Sequence, residues 1–512
     1  MKSHAAERVD FHIEDMTIPI SIEELDTWNR NFSFESSDEL EEFKDYSELS
    51  VWLNMLGFKS REALSDFLDT PLVKDRSLAR QLLRSWVGRR LLDEFSDLVV
   101  VDKDKSGRII LSTLETLLEN QEQVSLLDLL RSLPAEVIEF DANGWLKVFN
   151  NWRNELKKQQ NLLVDLRAIS VNSKSVHYKS KSDRTITPSF KELVKIKASH
   201  RNKDLVLELW RPTIRTSVRR NWIVFMPGLG GDPNHFSWLS SLLSQNGWDV
   251  AVIDHPGSNG EAMQSLIEGE NPFPSGAELF QNRIFDLFTV LKAKEEGTFS
   301  MKGDGYIFMG HSLGALTAFL ASGAIPEKGL DKRCNKFLND FSVTNLSRLL
   351  QCQITDLIID EEKNVNSLSA IVGINSFGKL LWPDSLDLEL NVPFLLTGGT
   401  FDLVTPALSE QLGLLLSSKD NDFSRVLIIE GASHFSPIRI DDNFSEIDLY
   451  KISDSFVGVN PIEVQNLLGN QIVRFLENLE SERSLPVSID QYTNKLNFLL
   501  LDRATIYKLT GI

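Results

Sequence analysis

The sequence has little cysteine, a deficit of basic residues and no long apolar run. Its only two cysteines, Cys334 and Cys352, lie in one polar segment and fit either two free thiols or one disulfide. With 54 Lys and Arg against 73 Asp and Glu, the net charge of -19 argues against nucleic-acid binding, which needs a basic surface. No run approaches the roughly 18 consecutive apolar residues of a membrane-spanning helix, so none is predicted.

What the chain does have is the composition of a core-forming protein. Hydrophobic residues make up 42% of its 512 positions and charged residues 25%, which are ordinary globular values. The composition shift at residues 168–188, rich in Ser, Lys and Asn, indicates a linker. We therefore predict a first domain over 1–167, a second domain over 189–485 and a C-terminal extension over 486–512.

The first domain is predicted to be mostly helical. Alternating apolar residues over 9–20 indicate one small hairpin, whereas segments such as 78–87 and 112–119 have apolar residues three and four positions apart. No motif in this half carries chemistry. Its role stays open, with an adaptor for a membrane surface or a protein partner as one hypothesis.

One segment of this half is similar to the start of a calcium-binding EF-hand loop. Asp102, Asp104 and Gly107 stand at fitting positions, but the twelfth position, where a bidentate glutamate belongs, is Thr113. The preceding run of valines is not an evident entering helix. The prediction is an exposed polar turn, and no metal site is assigned to the chain.

The second domain alternates short apolar strands with amphipathic helices. Near-continuous apolar strands separated by helices indicate a mostly parallel sheet that is covered by helices on both faces. The fold class is therefore α/β. The predicted strands are 193–198, 205–210, 222–226, 249–254, 305–309, 369–375, 393–397 and 425–430.

The segment Gly310-His-Ser312-Leu-Gly314 follows the fifth of these strands and precedes a helical pattern. Glycines on both sides of a serine are typical of a tight strand-to-helix turn, where a side chain at either position would clash. Asp402 and His434 each follow a later strand, and the order Ser, Asp, His is that of α/β-hydrolase triads. We predict Ser312 as nucleophile, His434 as general base and Asp402 as the acid that orients it.

A negatively charged intermediate on the serine would need hydrogen-bond donors. The glycine-rich loop Met226-Pro-Gly-Leu229-Gly-Gly231 follows the third strand, so the Leu229 and Leu313 backbone amides are the predicted oxyanion donors. No cofactor is expected.

Four other polar residues near the strand ends have other predicted roles. His311 is interpreted as a packed strand-end residue and His235 as a helix-start residue. Asp254 and His255 also end a strand and could line the site, but their chain order makes them poor triad members.

Residues 325–366 lie between the helix after Ser312 and the next strand, where an insertion is suited to cover a pocket as a lid. Their mixed apolar and polar content suits an ester or acyl substrate, including a lipid. Thioester and amide substrates stay open because the same triad cleaves them, and a non-catalytic binding protein on a hydrolase fold is a further alternative. The oligomeric state is not predicted.

Over about 189–480 the chain resembles the α/β-hydrolase superfamily, in the segments 226–231, 247–257 and 310–314 and at Asp402 and His434. It is most similar to cyanobacterial hydrolases related to platelet-activating-factor acetylhydrolases and dienelactone hydrolases. This resemblance implies a serine esterase or lipase-like enzyme with an N-terminal helical domain. The leucine after the nucleophile differs from the phenylalanine typical of the acetylhydrolases, so acetyl specificity is not carried over.

The resemblance extends to the start of the chain. The stretch Ala6-Glu-Arg-Val9 is similar to a mature N-terminus in these relatives, and residues 3–5 look like a signal-peptide cleavage site, although no apolar segment precedes them. Two expectations follow: export if a signal segment lies upstream of this start, and a cytoplasmic protein otherwise.

Overall fold

The computed structural model describes residues 6–26, 71–73, 96–144, 161–164, 189–339, 345–439 and 459–510, apart from 14–15, 97, 104–106, 122–123, 142, 162, 215–218, 268–275, 356, 358–364, 385–387, 403 and 493–495. The predicted linker 168–188 and the predicted helix 78–87 lie outside the described residues, as does part of the loop similar to an EF-hand. The chain divides into two compact units, one of Met1–Asn154 with Leu266–Glu268, the other of Glu155–Ser265 with Gly269–Ile512.

The described part of the first unit contains a four-stranded sheet. The strands of this unit are β1 (Arg8–Ile13), β2 (Met16–Ser21), β3 (Pro71–Val73), β4 (Val99–Val101), β5 (Val124–Ser125) and β6 (Val137–Asp141). Strands β1 and β2 pair antiparallel, as their alternating apolar residues predict, and β1 also pairs in parallel with β6, more than a hundred residues along the chain. The strand order is β2-β1-β6-β4, and a separate ladder joins β3 to β5.

Two helices of this unit are described in full, α1 (Arg108–Asn120) and α2 (Leu126–Ser132). Ser125 begins α2 with a capping box, in which its hydroxyl accepts from the Asp128 amide and the Asp128 carboxylate accepts from the Ser125 amide. Apolar residues of both helices pack on β1, β4 and β6 in one core. The prediction of a mostly helical domain is therefore not confirmed, because the described residues form a sheet with helices packed on it.

The second unit is built on a ten-stranded mixed sheet. Its strands are β7 (Ser189–Ile196), β8 (Leu205–Pro212), β9 (Asn221–Met226), β10 (Val250–Asp254), β11 (Gly305–His311), β12 (Leu368–Ile374), β13 (Phe394–Gly399), β14 (Arg425–Ile429), β15 (Ser488–Tyr492) and β16 (Leu496–Leu501). Their order in the sheet is β15-β16-β14-β13-β12-β11-β9-β10-β8-β7. The six strands β9 to β14 form its parallel centre, and antiparallel pairs flank it on both sides.

Helices cover the apolar faces of this sheet. On one face, alternate residues of the central strands pack against α3 and α10. The intervening residues of these strands are also buried, which explains why the strands read as nearly continuous apolar runs. The helices are α3 (Ser237–Gln245), α4 (Gly260–Ile267), α5 (Gly276–Glu295), α6 (Leu313–Ala321), α7 (Leu330–Asn339), α8 (Ser347–Gln351), α9 (Gln411–Ser417), α10 (Pro461–Glu480) and α11 (Arg503–Thr510). No helix among the described residues is both long and apolar enough to span a bilayer.

The C-terminal segment 486–512 is part of this sheet. We predicted an extension after a domain that ends at 485, but β16 pairs antiparallel with β14, and β15 pairs with β16. Leu499, Leu500 and Leu501 are fully buried. The segment thus completes the edge of the sheet beyond the strand that precedes His434.

The insertion predicted as a lid, 325–366, contains α7, α8 and a 3₁₀ turn over Cys352–Ile354. A disulfide joins Cys334 on α7 to Cys352, which decides between the two alternatives left open by the sequence. The Ser347 amide donates to the Val404 carbonyl at 2.8 Å. The insertion therefore packs against the loop that follows Asp402.

Candidate active site

Ser312 lies on the tight turn between β11 and α6. Its φ of 51° and ψ of -115° are a backbone conformation that L-residues rarely adopt. The Ser312 amide donates to the Ile374 carbonyl at the end of β12, at 2.8 Å. The turn is thus tied to the neighbouring strand and places the serine at the carboxyl edge of the sheet, where reactive groups gather in open α/β folds.

The two glycines around Ser312 are required by sterics. A Cβ atom at Gly310 would overlap the backbone of Gly314, and one at Gly314 would overlap the carbonyl of Met226 on β9. Backbone atoms cannot move aside as a flexible side chain does. The two glycines therefore allow α6 to pack closely against β9 and β11.

We predict that Gly314→Ala costs about 3 kcal/mol or more of unfolding free energy, since the overlap is with backbone. Gly323→Ala is the control, because Gly323 lies just after the same helix and no atom lies within 4 Å of its added Cβ. Its cost is therefore the backbone strain of its positive φ alone, about 1–2 kcal/mol. Chemical denaturation of the three proteins measures both changes, and equal costs would contradict the packing argument.

Ser312, His434 and Asp402 form one chain of hydrogen bonds. The Ser312 Oγ lies 3.0 Å from His434 Nε2, and His434 Nδ1 lies 2.9 Å from Asp402 Oδ2. His434 follows β14 and Asp402 follows β13, so parallel strands bring all three to one edge of the sheet. Their relative exposures are only 6%, 6% and 2% respectively.

Asp402 receives donors at both carboxylate oxygens. Oδ2 accepts from the Asn375 side chain at 2.7 Å and from the Thr405 hydroxyl at 2.6 Å, besides His434. Oδ1 accepts from the Val404 and Thr405 amides at 2.9 and 2.7 Å. Burial raises the pKa of Asp402, but the charge and hydrogen bond of His434 and the bonds from Thr405 outweigh burial and leave that pKa below its usual value. The carboxylate is therefore ionised near neutral pH.

Asn375 and Thr405 were missed by the sequence interpretation. Asn375 directly follows β12, so a polar residue after an apolar strand was the available signal. Thr405 stands three positions after Asp402, where an aspartate commonly binds the backbone of its own turn. Both signals are weak alone, because polar residues after strands and turn-forming aspartates are common.

We predict that Thr405→Val lowers kcat about 10-fold, because valine keeps the shape of threonine but removes a donor to a charged carboxylate. The remaining donors to Asp402 limit the loss. Steady-state hydrolysis of an ester substrate measures the change. A kcat equal to that of the wild type would show that the Thr405 hydroxyl does not contribute.

His311 packs beneath the candidate base. Its Nε2 lies 3.1 Å from the backbone carbonyl of His434, and the two rings are 4.9 Å apart. Burial first, and then the nearby charge of His434, lower the pKa of His311 to about 3. A neutral His311 with Nε2 protonated can therefore donate to that carbonyl, which supports the position of His434.

The loop that carries Leu229 lies against the nucleophile. A Cβ atom at Gly228 would stand 3.3 Å from the Ser312 Cβ. Within the described part of the chain, neither the Leu229 nor the Leu313 amide has a hydrogen-bond acceptor, whereas the Gly230 amide donates to Ser258 and the Gly231 amide to Gly228. Leu313 is the first residue of α6, where amides have no partner within the helix. Both predicted oxyanion donors are thus unoccupied.

The remaining candidates have other partners. Asp254 accepts from the Asn259 side chain at 2.7 Å, and the His255 Nδ1 lies 2.8 Å from Asp286. The His235 Nδ1 accepts from the Asp232 amide at 3.2 Å, as a residue at a helix start does. Burial raises the pKa of Asp254, whereas burial and the charge of Arg283 lower that of His255 to about 4. Among the described residues, no group of three or more His, Cys, Asp or Glu side chains could hold a metal ion.

A protein-family model matches part of the chain. The family model described as "Alpha/beta hydrolase of unknown function (DUF1400)" matches residues 5–141. No curated protein matches the sequence. The matched segment lies in the first unit and precedes the α/β sheet that carries Ser312, Asp402 and His434. This match supports a hydrolase of the α/β-hydrolase superfamily.

Proposed function

We propose that this protein is a serine hydrolase that cleaves carboxylic esters through an acyl-enzyme on Ser312. The observation that carries the proposal is the hydrogen-bonded chain from Ser312 through His434 to the buried Asp402. The unoccupied amides of Leu229 and Leu313 support it as well. Acyl transfer to serine requires an accessible nucleophile on a tight turn, a base, an acid that orients the base, and two hydrogen-bond donors for the oxyanion.

In the first half of the reaction, the Ser312 Oγ attacks the ester carbonyl carbon while His434 Nε2 takes its proton. Asp402 holds the Nδ1 proton of His434 and stabilises the imidazolium. The negative charge that develops on the carbonyl oxygen is bound by the Leu229 and Leu313 amides. The tetrahedral intermediate then expels the alcohol, which receives its proton from His434.

In the second half, water attacks the acyl-enzyme and His434 Nε2 takes a proton from that water. A second tetrahedral intermediate collapses, Ser312 regains its proton, and the carboxylic acid leaves. His434 thus acts as base and then as acid in each half. The ester and one water molecule balance the reaction, and the enzyme returns to its starting protonation state.

Esters are the proposed substrates because the chain is similar to esterases in the tight turn Gly310–Gly314 and in the glycine-rich loop Met226–Gly231, which we call the oxyanion loop. The relation to platelet-activating-factor acetylhydrolases and dienelactone hydrolases belongs to this proposal. Residues 226–231, 247–257 and 310–314 support the α/β-hydrolase superfamily, within which this relation is placed, and Leu313 departs from the acetylhydrolase pattern. Thioesters and amides are the competing substrates, since the same side chains would cleave them. Only turnover separates these classes.

The test is hydrolysis by the full chain of p-nitrophenyl esters from acetate to palmitate, beside an acyl thioester and an acyl anilide. We expect turnover of esters with a chain-length optimum, which separates an esterase from a lipase. Turnover of the thioester or anilide alone would replace the ester proposal by that class. Turnover of none of them would contradict a hydrolase with an open site.

A further inference from the structure

Arg283 on α5 is a fully buried arginine, with only 1% of its surface exposed. Its guanidinium donates in three directions: to the Pro227 carbonyl, to the Ser258 hydroxyl at 2.7 Å and to the Thr317 hydroxyl at 3.3 Å. Burial lowers its pKa to about 9, and Asp286 opposes that shift, so the group is charged at neutral pH. Its three contacts lie on three separate elements of the second unit.

Two of these contacts hold the oxyanion loop on both sides of Leu229. Pro227, two residues before Leu229, accepts directly from Arg283. Gly230, one residue after it, donates its amide to the Ser258 carbonyl at 2.8 Å, and the Ser258 hydroxyl is bound by Arg283. One guanidinium therefore holds the peptide groups on both sides of the Leu229 amide, directly at Pro227 and through Ser258 at Gly230.

The third contact reaches the helix that carries the other predicted donor. Thr317 accepts from Arg283 and donates to the Leu313 carbonyl one turn earlier, at 2.8 Å. Arg283 thus connects the oxyanion loop to the first turn of α6. An oxyanion hole stabilises the intermediate only when both amides stand at hydrogen-bond distance from one oxygen, so the spacing between loop and helix matters.

The surroundings of Arg283 keep this guanidinium in place. Asp286, one turn along α5, is bound by His200 at 2.7 Å, by His255 at 2.8 Å and by Arg201 at 2.6 Å. Burial raises the pKa of Asp286, but these three hydrogen bonds lower it well below its usual range, so the carboxylate is ionised beside Arg283. Arg201 also donates to the Pro256 carbonyl at 2.6 Å, which fixes the segment that contains Ser258.

We propose that Arg283 is the positioning residue of the oxyanion hole, which sets the distance between the Leu229 amide and the helix of Leu313. The inference rests on the proposed serine-hydrolase function. Arg283 does not touch substrate; it acts through the backbone that it binds. Lysine cannot replace it, because an ammonium lacks the planar fork that reaches three acceptors on separate elements.

The test compares Arg283→Lys with the wild type in ester hydrolysis and in inhibition by an alkyl trifluoromethyl ketone, which forms a tetrahedral adduct on a reactive serine. We expect kcat to fall about 10–100-fold with KM within about 3-fold, since a small displacement of oxyanion donors acts on the transition state. The inhibition constant should rise by the same factor as kcat/KM falls, because the adduct is similar to that state.

Arg425→Lys is the matched control. Arg425 is another buried arginine bound to backbone carbonyls, those of Leu485, Asp422 and Ser424, but it begins β14 at the opposite end from His434. Arg425→Lys should lower the midpoint of thermal unfolding without changing the inhibition constant of the trifluoromethyl ketone. A parallel loss of activity in both lysine variants would reduce Arg283 to a stability role and overturn the inference.

Ser258→Ala provides a second variant that keeps Arg283 and removes only its link toward Gly230. We expect the inhibition constant to rise about 3–10-fold. If Arg283→Lys does not fold, an unchanged constant in Ser258→Ala overturns the inference. If the wild type turns over esters in a Ser312-dependent way and Arg283→Lys equals it, only this inference fails. A wild type without such turnover contradicts the proposed function and the inference with it.

Discussion

Replacing Ser312 with alanine is expected to lower kcat about 10⁶-fold, to a rate near background. The hydroxyl is the atom that attacks, and no neighbouring group in the hydrogen-bonded chain to His434 and Asp402 can replace it. The oxyanion amides and substrate binding survive in the variant, so a small residual rate over water remains. Steady-state hydrolysis of the best p-nitrophenyl ester, at high enzyme concentration, measures the ratio.

Ser376→Ala is the control for this loss. Ser376 is also fully buried and follows β12 at the same edge of the sheet, but among the described residues its hydroxyl has no hydrogen-bond partner. We expect its kcat to stay within about 3-fold of the wild type, as for a small change away from the chemistry. A Ser312→Ala variant that retains wild-type turnover would mean that another group is the nucleophile.

Replacing Asp402 with asparagine is expected to lower kcat about 10⁴-fold with the fold intact, because an amide would favour the wrong tautomer of His434. The loss is large here since Asp402 Oδ2 is the only carboxylate oxygen within hydrogen-bond distance of His434 Nδ1 among the described residues. The rate should recover in part at high pH, where hydroxide can assist. Steady-state kinetics over pH 6–10 measures both effects on one ester.

Asp254→Asn is the control, because Asp254 is a half-buried aspartate at a strand end on the same edge of the sheet. Its carboxylate is bound by Asn259 and makes no contact with His434. Most activity should remain in this variant. The opposite result, a large loss in Asp254→Asn and a small one in Asp402→Asn, would overturn the assignment of the acid.

The centre of the second unit could be predicted from sequence because its signals are local and dense. Strands such as β9 and β10 are buried on both faces and therefore read as continuous apolar runs. Gly310 and Gly314 predict the tight turn around Ser312 because only glycine fits at these two positions. Parallel strands carry residues far apart in the chain to one edge, so the position of Ser312, Asp402 and His434 after strands, together with their chain order, predicted that they lie together.

The parts that escaped prediction depend on contacts between distant segments. Strand β4 has three residues and β6 five, too few for a clear pattern, and β6 pairs with β1 across most of the first unit. Strand β16 is strongly apolar, but its own sequence does not predict which strand it pairs with, and its partner in the structure is β14. Arg283 was missed for a similar reason, because an arginine in an amphipathic helix usually faces solvent.

The buried polar groups around the site have one physical feature in common. His311 and Arg283 are fixed by hydrogen bonds to backbone carbonyls, and Asp286 is fixed by the side chains that bind it. None of the three reaches the nucleophile directly. Buried charges of this kind are weak evidence for stability, since desolvation opposes their attraction. Their contacts converge on the loop of Leu229, the first turn of α6 and the backbone of His434, which are the parts whose relative positions matter for acyl transfer.

If Ser312 is an activated nucleophile, it reacts with a fluorophosphonate, and peptide mass spectrometry of the folded full chain locates the adduct. We expect one equivalent of probe on the peptide that contains Ser312. The adduct should be lost in Ser312→Ala and should form much more slowly in Asp402→Asn. An unlabelled wild-type protein, or an adduct on a different serine, would show that Ser312 is not the nucleophile.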